Sequence, residues 1–208
     1  MSFFSAQWEE FRTFWRGSGF AAELRRSAAA AVLLALVGFG VCMALPDLLR
    51  WIMNLVQEYF SSLNLTDSAG NISAMALFSN NARACAFAML YGMIPYAYLS
   101  ALPLGVNFLL LGAMASYYVS NGQSLTGYAA ALLPHGIFEL PALVLSFAMG
   151  LYCCTQMTRR CRKDETAPRA ADCIAQMSRL FALLIVPLLL AAALMEAYVT
   201  PLVASYFN

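Results

Sequence analysis

Apolar residues fill most of this chain in long blocks, separated by short polar segments. Residues 27–45, SAAAAVLLALVGFGVCMAL, hold no charge. About twenty such residues in a helix cross the ~30 Å hydrocarbon core of a bilayer. Similar blocks predict further spans over about 81–98, 104–119, 128–157 and 179–199, with a tight apolar turn near 100–103 and a polar one at 120–127. The fourth block is longer than a straight crossing requires. It carries Pro134 and Pro141, each lacking a backbone donor, so a broken or kinked helix is expected there. The fold class is all-α: a polytopic membrane helix bundle of about five transmembrane helices plus amphipathic interfacial helices.

Two other segments alternate polar and apolar residues at helical spacing. Residues 1–26 form a cytoplasmic amphipathic helix, with Phe4, Trp8, Phe11 and Trp15 recurring among Glu9, Glu10, Arg12 and Arg16. It either lies in the membrane interface or packs on the protein's own cytoplasmic face. The transmembrane bundle occupies 27–208. Within it, 46–72 is an external amphipathic segment, interfacial or partner-binding, that gathers Leu48, Leu49, Ile52, Leu55, Val56, Tyr59 and Phe60 on one face. Two sequons in its polar end, at Asn64 and Asn71, are read as chance.

Composition agrees with the pattern. The 208 residues are 62% hydrophobic and only 11% charged, with a mean hydropathy of +0.68; soluble domains are roughly 45–50% apolar and about 25% charged. A net charge of +1 gives no reason to expect nucleic acid. The placement of the charges says more. Arg12, Arg16, Arg25 and Arg26 precede the first span, and Arg159, Arg160, Arg162, Lys163 and Arg169 crowd the basic loop 158–178. Basic residues in short loops mark the cytoplasmic side. Five spans put both groups there, with the N-terminus inside and the C-terminus outside. The first span has no clear A-x-A site and reads as an uncleaved anchor. Cys42 and Cys85 behave as small hydrophobes. Cys153, Cys154, Cys161 and Cys173 surround the basic loop without C-x-x-C spacing, so reduced thiols and no metal site are expected.

Residues 73–157 contain only two charged side chains, Arg83 and Glu139. His135 lies about 22 residues before the inner end of the fourth span, ~33 Å away. Glu139 is one turn deeper on the same face. The topology brings Asn81, Arg83, His135, Glu139 and Glu196 to one depth in the outer leaflet. Intramembrane ionisable residues are costly and face partners or a cavity, so Arg83 is expected to pair with Glu139 or Glu196. The cluster reads as a structural network, as a solvated site for a ligand, ion or proton, or as a catalytic centre. A helix broken at Pro134 would add free N–H groups suited to an anion. Catalysis has little support: the chain has one His and no G-x-S-x-G. No cofactor is implied.

SNNARACAFAMLYG (79–92), NFLLLGAMA (107–115), LLPHGIFELPALVLSFAMGL (132–151) and PLLLAAALMEAYVTP (187–201) resemble the stage II sporulation protein M family. The resemblance makes Asn81, Gly92, Asn107, Gly112, Pro134, His135, Gly136, Glu139, Pro141, Glu196 and Pro201 motif positions, none with a catalytic role. It implies a non-enzymatic bacterial inner-membrane protein. In spore formers such a protein acts in engulfment as a scaffold for peptidoglycan remodelling, recruiting hydrolases: an amidase and a lytic transglycosylase. Lipid bilayer, those hydrolases and a second copy of the chain are the candidate partners. A transporter or channel using the outer-leaflet site, for an ion, proton or small anion, is the alternative.

Overall fold

A computed structural model describes residues 3–62 and 73–200; Pro201, the two sequons and residues 63–72 lie outside them. The described residues are almost entirely helical, with no strand among them: α1 (Phe3–Gly17), α2 (Phe20–Ala44), α3 (Pro46–Ser62), α4 (Ala74–Leu90), α5 (Ala101–Ser120), α6 (Leu125–Cys161), α7 (Ala170–Leu180) and α8 (Val186–Leu194). π-helical turns at Phe181–Ile185 and Met195–Val199 join α7 and α8 into one run, Ala170–Val199. That run, α2, α5 and α6 are the four helices long and apolar enough to cross a membrane.

The remaining expected span is shorter and shifted. Instead of 81–98, α4 starts at Ala74, where the Ser73 hydroxyl accepts from the Ala76 N–H, and it ends at Leu90. A 3-10 turn, Tyr91–Met93, follows. Tyr96 and Tyr98 then take positive φ values of 65° and 46°, which stop any helix. This turn is held by α6: the Tyr96 N–H donates to Thr158 Oγ1 at 2.8 Å and the Cys154 thiol donates to the Ile94 carbonyl. The turn therefore spans 91–100, and α5 begins at Ala101.

Side-chain levels fix the directions of the helices. Asn81 meets Glu139, while Gly92 meets Gly150 and Tyr96 meets Thr158. Thus α4 and its turn run parallel to α6. Nineteen residues of α6 separate Glu139 from Thr158, ~28 Å of helix, so α4 and its turn together cover about one bilayer core. Phe20 lies against Tyr152 near the basic end of α6, and Met43 lies near Ser120 at the other end of α5. So α2 and α5 rise together, opposite to α4 and α6, and the Ala170–Val199 run returns from the basic end, with Thr200 just past it meeting His135.

α6 is the central post, in contact with α2, α4, α5 and α8. Despite Pro134 and Pro141 it is one continuous 37-residue helix. Both prolines lie within its N-terminal half, where Pro141 is exposed and Gly136 is the one buried residue before Ala142; transmembrane helices tolerate proline through small local backbone adjustments. The break anticipated at 134–136, and the exposed N–H groups it would have offered, do not occur. Small residues let the helices approach closely, as packing inside a bilayer favours. A Cβ on Gly112 would stand 2.6 Å from the Phe39 nitrogen of α2, and one on Gly92 would stand 2.7 Å from the Gly150 Cα.

At the basic end, α1 packs on the bundle. Phe11 is buried, and Phe14 and Trp15 pack in a ring cluster with Phe20 and Tyr152. Arg179 of α7 pairs with Glu10 and donates to Gln7 at 2.8 Å. The basic segment expected as a loop over 158–178 is largely helical, with only 162–169 between α6 and α7. There Arg159 reaches Asp164 at 2.7 Å. Hydrogen bonds from Thr166, aided by Arg159, hold the Asp164 carboxyl below the usual range. All six cysteines are free thiols, and only Cys161 is exposed.

Candidate functional site

Three helical runs bring polar side chains together at the end of the bundle opposite the basic segment. α6 supplies His135 and Glu139 on one face. α4 supplies Asn81, whose side-chain N–H donates to Glu139 Oε1 at 3.0 Å. The π turn Met195–Val199 supplies Glu196, whose Oε2 lies 2.5 Å from His135 Nδ1. Thr200 adds a hydroxyl 3.4 Å from the same nitrogen. A π turn widens the helix by one residue and is often found at functional positions; here it sets the azimuth of Glu196. Exposure of the His135 and Glu196 side chains is 18% and 26%, so the pair is shielded on most sides.

Arg83 is not part of this cluster. It is exposed and makes no ion pair among the described residues. The reason is rotational. Asn81, Cys85, Ala88 and Met89 turn toward the bundle, and a residue two positions after Asn81 points ~200° around the helix. The pairing expected between Arg83 and either glutamate is replaced by His135–Glu196 and Asn81–Glu139. The missed contributor is Thr200, which carries no charge to mark it in a hydropathy pattern.

A cavity of about 140 Å³ opens between α5 and α6 beside the cluster. Asn107, His135 and Glu139 form its polar lining, and Phe108, Leu111 and Leu143 are among its apolar walls. Asn107 donates its side-chain N–H to the Pro103 carbonyl at 2.8 Å. Gly136 lies on the same wall. Gly92, Gly112 and Pro141 lie elsewhere, at helix contacts or within α6. Chemically the site sets two carboxylates, Glu139 and Glu196, against one amide donor, Asn81, and one imidazole, His135.

A helical bundle with four apolar helices long enough to cross a bilayer is a multi-pass membrane protein. The family profile described as stage II sporulation protein M matches residues 28–201, and the chain belongs to that family. A relative from Methanocaldococcus jannaschii, named only as an uncharacterized protein, is 28% identical over 131 residues, covering 63% of this chain and 72% of its own. No solved structure matches the chain.

Proposed function

We propose that this protein is a non-enzymatic scaffold in the bacterial inner membrane, N-terminus cytoplasmic and C-terminus external, that recruits peptidoglycan-remodelling hydrolases such as an amidase or a lytic transglycosylase. Family membership supports the reading. The structural observation that carries it is the packing of α6: most positions from Ala142 to Thr158, polar Ser146, Gln156 and Thr158 included, are buried. A conduit would need a polar, hydrated lining through that half of the bundle, whereas this half is filled with side chains as a rigid support would be. At the other end, α3 is seated by Leu49 on Cys42 and Ala113 and leaves Trp51 and Leu55 exposed at 59% and 45%. That face, beyond the outer ends of α2 and α5, is where a partner would be held.

The test is reconstitution beside recovery from membranes. Purified vesicles should carry no Glu139-dependent flux of protons or common ions. Affinity purification from native membranes should recover a peptidoglycan hydrolase, and Trp51→Ser with Leu55→Ser should release it at an unchanged melting temperature. Flux abolished by Glu139→Gln, with no hydrolase recovered, would refute the scaffold.

A further inference from the structure

The charges inside the bundle do not balance. Where His135 is protonated, it neutralises Glu196 and leaves Glu139 alone; where His135 is neutral, two carboxylates remain. Arg83 points away, and Asn81 brings a dipole rather than a charge. Cys85, the other titratable side chain beside Glu139, brings no positive charge either. An isolated charge in a low-dielectric interior is costly, so the site calls either for a proton on Glu139 or for a positive charge from outside the protein.

The cavity has the matching form. Glu139 Oε1 accepts from Asn81, while Oε2 has no hydrogen-bond donor among the described residues. Asn107 donates its amide N–H to Pro103, and its side chain, with an oxygen that accepts, lines the cavity. Glu139 and the Asn107 amide thus line a space walled by Phe108, Leu111 and Leu143, and His135, on the same lining, turns its Nδ1 to Glu196. Acceptors without a matching set of donors select a ligand that donates. At roughly 30 Å³ per water-sized group, this volume admits about four or five such groups. Asn107 at its mouth is exposed on the surface of α5.

We propose that this cavity binds a primary ammonium group, with Glu139 as its counter-ion and Asn107 as a second acceptor. The three N–H donors of an ammonium suit this lining, the short apolar wall suits an alkyl stem, and an anion is excluded by the sign of the charges. Two sources present that chemistry: a free small amine and the head group of an aminophospholipid. The site is independent of the scaffold reading and would stand if that reading failed.

The experiment measures melting temperature at pH 8 and fixed ionic strength. In detergent, methylammonium chloride is titrated against tetramethylammonium chloride, which has no N–H donor. In parallel, nanodiscs of phosphatidylethanolamine are compared with nanodiscs of phosphatidylcholine. A ligand that binds only the folded state raises its stability in a saturable way. The expected result is a saturable rise with methylammonium but not tetramethylammonium, or a higher melting temperature in phosphatidylethanolamine, lost in Glu139→Gln. A response in the first arm identifies a free amine, and one in the second alone identifies the lipid. Glu139→Gln keeps an oxygen for Asn81; should it fail to fold, Leu111→Trp, which fills the cavity, must abolish the same response. Equal responses from wild type and variants in both arms would overturn the proposal. So would stabilisation of the wild type by acid alone, since a proton on Glu139 would then supply the balance.

Discussion

His135 and Glu196 are one unit, because Glu196 Oε2 lies 2.5 Å from His135 Nδ1, an ion pair when His135 is protonated. Breaking a buried pair by removing one member typically costs ~3–5 kcal/mol, since the remaining charge is left uncompensated; partial exposure of this pair puts the loss toward or below the lower end. Denaturation in detergent should show His135→Ala and Glu196→Gln each destabilising, with the double variant less destabilised than their sum by about 0.5–3 kcal/mol. Strict additivity would mean that the two do not interact. Arg83 gives the contrast: exposed and unpaired among the described residues, Arg83→Ala should change stability by no more than ~0.5 kcal/mol. The depth of these residues was legible in the sequence, because helical rise converts residue number into height. Their azimuth was not. His135 and Glu139 share a face through their i, i+4 spacing, whereas Arg83 and Asn81 have equal depth and opposed directions.

At the scale of helices, the apolar blocks located the crossings, and local chemistry moved their ends. Residues 91–98, YGMIPYAY, hold no charge, but Pro95 and three tyrosines set them apart from the spans. The turn there exists because Thr158 and Cys154, sixty residues away in sequence, bind its backbone. The prolines of α6 misled in the other direction, because a transmembrane helix can run on through proline when small local adjustments accommodate the carbonyl it leaves unpaired. Close packing is testable at glycine. Gly112→Val should force α2 from α5 and cost about 1–3 kcal/mol, the usual range for overpacking. Gly40→Val, where an added Cβ would meet nothing within 4 Å, should be much milder; equal melting temperatures would show that α2 and α5 are not in contact there. The loop before α7 depends on Asp164. Its carboxyl is depressed from the ordinary 3.8, so its stabilising effect is present above that value and fades as pH falls through the lower native one. Asp164→Asn should reproduce the acid effect at neutral pH, seen as faster tryptic cleavage after Arg162 and Lys163.

For the molecule as a whole, the directions of α2, α4, α5, α6 and the Ala170–Val199 run form a consistent up-and-down set. α1, the basic loop and α7 gather at one end, and α3 and the polar cluster lie at the other. On the proposed orientation the basic end is cytoplasmic. Cys161, the exposed thiol among the six, should therefore react in intact cells with a membrane-permeant maleimide and resist an impermeant one. The scaffold reading depends further on what α3 touches outside. The most direct measurement places a photo-crosslinking amino acid at Trp51 in living cells and identifies the adduct, with Arg159 at the basic end as the control position. The account expects a peptidoglycan hydrolase joined to position 51 and absent from position 159. Adducts at position 51 consisting only of lipid or of a second copy of the chain would contradict it.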